Sequence, residues 1–225
     1  MAPCDAEAAG LDFVEGCELS CDVNGADVHM LAYFFDERDE AFASALTSSK
    51  VRRIERGRAI VDKLKRLGVA IEFSEVAREA GRGAVGRPHV ARALVAGRCV
   101  GSVEEAFVRY LKRGAPAYVA KVSPSSAEMI ALVRRAGGVA VLAHPGLYRT
   151  DGLVEKLASE GLRGIEVWHP KHSSDQVKRF EEIANAFGLV PTGGSDFHGH
   201  PGGDVVPGAE GVSIEALERL RAARV

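Results

Sequence analysis

Several features that would each fix a class are missing from this sequence. No apolar run approaches the roughly 18–20 residues needed to cross a bilayer, the longest being stretches such as Gly138–Ala143. The opening residues, MAPCDAEAAG, lack both a basic start and an apolar segment, so no secretory leader is visible. A cytoplasmic protein with no membrane partner is expected. Excess positive charge is also absent: 29 Lys and Arg against 31 Asp and Glu give a formal net charge of -2. There is no global field to hold nucleic acid by counterion release, so such a substrate needs a local patch. Cysteine is sparse and unpatterned. Cys4, Cys17, Cys21 and Cys99 form no C-x-x-C, and Cys17-x-x-x-Cys21 has no second pair to complete a zinc knuckle. Buried reduced thiols are the expectation in a chain of this size.

What is present suits a folded domain. The 225 residues are 46% hydrophobic and 27% charged, enough to bury a core, and this length favours one main domain with an inserted subdomain. In residues 11–34 two apolar segments flank Asn24-Gly25, a tight-turn dipeptide, which reads as strand, turn, strand. From Asp36 to Leu67 the spacing of Phe42, Leu46, Ile54, Ile60, Val61, Leu64 and Leu67 becomes helical, with a break expected near Gly57. Shorter helical patterns begin at Ser74, Pro88 and Ser102, the last with a Ser102-x-x-Glu105 capping box. After Pro124 helices and strands alternate: helix 125–136, strand Val139–Ala143, helix 151–159, strand Gly164–Trp168, helix 173–187, strand Leu189–Thr192, helix 213–223. Such alternation predicts parallel βα units.

Unusual residues follow each late strand: His144-Pro145-Gly146, then His169-Pro170-Lys171-His172, then Gly194-Ser195-Asp196-Phe197-His198. Active sites of parallel α/β folds form at the carboxyl ends of strands. Imidazoles and carboxylates gathered there suit zinc, manganese or iron. Asp196 and His198 stand two apart, so an extended segment points both donors the same way. Glu18 and His29 join them from the hairpin. Singly, each has a plainer reading as a hydrogen-bonded, capping or solvated group; their co-occurrence on successive strand ends shifts the balance.

The segments GCELS (16–20), VHMLAYFFD (28–36), GRPHVARALV (86–95), AYVAK (117–121), GGVAVLAHPG (137–146), GIEVWHPKHS (164–173) and GGSDFHG (193–199) stand in one order across almost the whole chain. Together they resemble the PHP (polymerase and histidinol phosphatase) domain family, and within it the TrpH/YciV-like phosphoesterases. The resemblance implies an α/β fold: a distorted (β/α)7 TIM-like barrel from residues 1–35 and 117–225, with 36–116 as an inserted helical lid. It implies up to three divalent ions, Mn2+, Zn2+ or Fe2+, and metal-activated water attacking a phosphomonoester or nucleotide. The substrates implied are a 3',5'-bisphosphonucleotide or a short RNA degraded from its 5' end.

By the same resemblance Glu18, His29, His144, Asp196 and His198 are metal ligands. Arg87, His89, Lys121 and His172 bind phosphate, with His172 donating a proton to the leaving group. Arg87 and His89 open a helix, whose amides and dipole favour anions. His169 is not counted, because relatives often carry an aromatic there. Family members also begin with a His-x-His strand and an Asp-His-Asp segment that this sequence does not contain. An amino-terminally incomplete barrel with one or two ions is therefore expected, the Glu18, His29 and His144 site being the better preserved. Sheet edges left open would invite a homo-oligomer. The rival expectation is a truncated or catalytically weak protein of this fold that binds metal or phosphate without efficient turnover. The basic segment 50–66 is interrupted by Glu55 and Asp62 and spaced as a helix, so a solvated lid helix explains it better than a nucleic-acid patch.

Overall fold

The structure, a computed structural model, describes residues 6, 8–81, 83–148, 152–197 and 205–224. The chain divides into two compact units, Met1–Phe42 with Ser123–Val225, and Ala43–Val122. The first unit carries a five-stranded sheet in which sequence order is spatial order. Strands β1 (Gly16–Val23) and β2 (Ala26–Tyr33) form the hairpin. Asn24 and Gly25 both take positive φ, 52° and 82°, the backbone a two-residue turn needs to match strand twist. The Asp22 carboxylate accepts the Gly25 N–H at 3.0 Å. Strands β3 (Val139–Leu142), β4 (Gly164–Trp168) and β5 (Val190–Gly193) follow. They pair in parallel with one another, whereas β2 meets β3 antiparallel, so the sheet is mixed.

Burial explains the strand sequences. All of β3 and Gly164–Val167 of β4 are buried, and both read as near-continuous apolar runs. Helices Ser126–Arg135, Leu153–Ser159 and Ser174–Ala186 bury Met129, Ile130 and Val133, Leu153, Val154 and Leu157, and Phe180 and Ala184. Ser125 and Ser173 cap two of them, each with a reciprocal Glu128 or Gln176.

The second unit is helical. Its core of Ile60, Leu64, Val76, Val90, Leu94 and Leu111 comes from Phe73–Ala80, Arg87–Ala96, the turn Phe107–Leu111 and the long helix Glu40–Arg66. That long helix runs unbroken through Gly57, contrary to the expected break. A Cβ there would stand 2.8 Å from Val85 Cγ1 and 3.1 Å from Phe73 Cε2, so Gly57 serves close packing rather than a bend. Among the described residues no helix is long and apolar enough to cross a membrane.

Candidate metal centre

Strand register brings the first two donors together. Glu18 pairs with Leu31 and Ser20 with His29, so Glu18 and His29 are diagonal neighbours on one sheet face. Glu18 Oε1 lies 2.7 Å from His29 Nδ1. His144 follows Ala143 beyond β3, which pairs with β2, and its Nε2 lies 3.1 Å from the same carboxylate oxygen. Ligand atoms of Glu18, His29 and His144 all fall within 4.8 Å of one another. The side chain of His144 is 11% exposed, against 33% for His29 and 36% for Glu18, so the cluster opens to solvent on the hairpin side.

Local backbone aims these groups. His144 has φ 32° and ψ 58°, a left-handed conformation uncommon for residues other than glycine, and Pro145 then starts a tight helical turn. The His144 N–H donates to Glu166 Oε2 at 2.7 Å, anchoring the turn to β4. Tyr148 Oη, at the end of that turn, accepts the His29 N–H at 3.0 Å and lies 3.0 Å from His144 Nδ1.

The electrostatics follow from these contacts. Hydrogen bonds from His144 and then His29 hold the Glu18 carboxyl well below the usual carboxylate range. Burial works against a charged His144, but its bond to Glu18 and the neighbouring carboxylates raise its pKa overall. Burial pushes the Glu166 carboxyl up to about 7, the His144 N–H working the other way. Two imidazole nitrogens and a carboxylate oxygen are a donor set for Zn2+, Mn2+ or Fe2+, and they fit such an ion.

The other expected residues are placed differently. Asp196, at φ 53°, sets Oδ2 3.5 Å from His169 Nε2, too far for a good hydrogen bond; that buried nitrogen has no closer partner among the described residues. His198 lies outside the described residues. His172 departs from the expected proton donor. Its Nε2 accepts the Gly146 N–H at 3.1 Å and its Nδ1 donates to the Val167 carbonyl at 2.8 Å, so both ring nitrogens are committed to backbone. Burial lowers its pKa further from the charged form. Arg87, His89 and Lys121 belong to the helical unit. Arg87 donates to the Leu111 carbonyl at 3.3 Å and lies over the Phe107 and Tyr118 rings, while His89 Nδ1 accepts the Gly86 N–H at 2.9 Å as a helix cap. Lys121 stands in the irregular segment before Ser123.

Sequence reasoning passed over Glu166, Tyr148 and the contact made by His169. Glu166 had a signal, being a lone carboxylate inside the apolar run GIEVW. Tyr148 had none.

No protein-family model matches the chain. It is 35% identical over 204 residues to the 3',5'-nucleoside bisphosphate phosphatase of Chromobacterium violaceum, covering 87% of this chain and 72% of that one. It is 31% identical over 198 residues to a 5'-3' exoribonuclease of Haemophilus influenzae, covering 86% and 72%. Among solved structures it matches a protein of Bifidobacterium adolescentis assigned as a metal-dependent phosphoesterase. That match has a TM-score of 0.84 at 31% identity and covers 98% of this chain and 79% of the other.

Proposed function

Because the chain belongs to the phosphoesterase family of the bisphosphonucleotide phosphatase and exoribonuclease just described, we propose that it removes phosphate from nucleotides or from the 5' end of short RNA. It is a metal-dependent hydrolase of phosphate esters. The observation that carries the reading is the convergence of Glu18, His29 and His144 from β1, β2 and the loop after β3. Divalent ions, when bound, neutralise phosphoryl oxygens and acidify an attacking water.

In this reading Glu18, His29 and His144 hold a first Mn2+, Zn2+ or Fe2+ ion, and Asp196 with His198 contribute to a second. Arg87, His89 and Lys121 of the helical insertion bind phosphate, and the first unit takes a PHP-type fold; the match to a solved phosphoesterase over nearly the full chain supports a shared fold. His172 keeps its place at the site as the support of the Gly146 turn rather than as an acid, because its two hydrogen bonds leave no nitrogen for substrate.

A second reading, a fold that binds metal with little turnover, is favoured by one observation. Among the described residues the three-donor cluster is the one group able to hold an ion. Metal analysis of the purified chain, with hydrolysis of a 3',5'-bisphosphonucleotide and a 5'-phosphorylated oligoribonucleotide in Mn2+, separates the readings. Bound metal with turnover is expected; bound metal without turnover on either substrate would select the second reading, and no bound metal would end both.

A further inference from the structure

Tyr148 touches two of the three donor residues at once. Its Oη accepts the backbone N–H of His29 and lies against His144 Nδ1, each at 3.0 Å, and the Tyr148 and His144 rings pack with centroids 5.4 Å apart. His144 Nε2 meanwhile faces Glu18 Oε1 at 3.1 Å. The ionised Glu18 carboxylate can only accept, so a neutral, metal-free His144 facing it carries its proton on Nε2 and leaves Nδ1 to accept from the phenol. A ligating Nε2 must instead present a lone pair, which moves the ring proton to Nδ1. A hydroxyl answers both states by rotating from donor to acceptor, with every heavy atom left in place.

We infer that Tyr148 is a positioning residue: its hydroxyl serves both tautomers of His144 and pins β2 at His29, so the donor set is organised before a divalent cation arrives. The inference rests on the metal-site reading above. Outer groups that fix the tautomer and orientation of a ligand typically change affinity by about 10–100-fold. Tyr148 does this for one ligand through the ring and for another through the strand.

Zn2+ affinity of the full chain and of Tyr148→Phe, measured by chelator competition, tests it. The variant is expected to bind about 10–100-fold more weakly, while still unfolding cooperatively without metal, at a midpoint lowered by the unpaired His29 N–H. Long-range proton–nitrogen NMR of wild type at alkaline pH reads the tautomer directly. Expected is Nε2–H in the metal-free protein and Nδ1–H after loading with Zn2+. Affinity of Tyr148→Phe within twofold of wild type overturns the inference. So does a metal-free His144 already protonated on Nδ1, which decides the matter even if the variant fails to fold. Wild type that takes up no Zn2+ overturns the metal reading itself, and the inference with it.

Discussion

Two histidine pairs stand near one another on the same sheet, His29 within β2 and the other three beyond strand ends, and they do different work. His29 and His144 turn ring nitrogens toward one carboxylate oxygen, with ring centroids 5.2 Å apart. His169 and His172, with centroids 5.1 Å apart, meet backbone instead: Lys171 N–H donates to His169 Nδ1, and Gly146 N–H to His172 Nε2. Burial then lowers the pKa of both members of this second pair, keeping them neutral. Position at a strand end therefore does not assign a histidine its role. What assigns it is the partner met by each ring nitrogen, which fixes whether a lone pair is left to offer.

The comparison breaks most visibly in metal affinity. His144→Ala is expected to weaken Zn2+ binding by more than about 100-fold, beyond the usual range for outer groups, while His172→Ala changes it far less. Equal losses in a chelator competition would erase the distinction between the pairs.

Next in size is the carboxylate behind His144. Burial lifts the Glu166 carboxyl from the ordinary 4.5 to about 7, which favours its protonated form in the folded, metal-free protein by about 3 kcal/mol. The stability this contributes is complete below the unfolded value and is lost as pH rises through about 7. Glu166→Gln should flatten that fall, gaining most at alkaline pH. Urea unfolding of metal-free wild type and variant on either side of neutrality measures it, and parallel pH profiles would count against the raised carboxyl.

The smallest effect sharpens the backbone half. A Cβ on Gly146 would lie 2.6 Å from His172 Cδ2 and 2.9 Å from Gln176 Nε2. Gly146→Ala should therefore cost about 1–3 kcal/mol, as overpacking does, read as a lower denaturation midpoint. An unchanged midpoint would mean that His172 does not clamp this turn.

Local chemistry made much of the fold legible. Asn24-Gly25 announced the hairpin, and the alternation of helical and apolar strand patterns after Pro124 announced the βα units, because turns and periodicity are decided by near neighbours. Gly57 misled because its reason is a contact with Phe73 and Val85, far along the chain. At the site, donors were legible by residue type, but the roles of His172, Glu166 and Tyr148 were not. Each depends on a partner at least five positions away, such as Val167 for His172 or His29 for Tyr148, and spacing carries no record of that.

The diagonal between Glu18 and His29 has one more consequence. It exists because Glu18 faces Leu31 and Ser20 faces His29, and a slip of one residue would turn one donor to the opposite side of the sheet. A misregistered hairpin would thus be blind to metal. The candidate site therefore depends on the frame in which the two strands pair as well as on the residue types they carry.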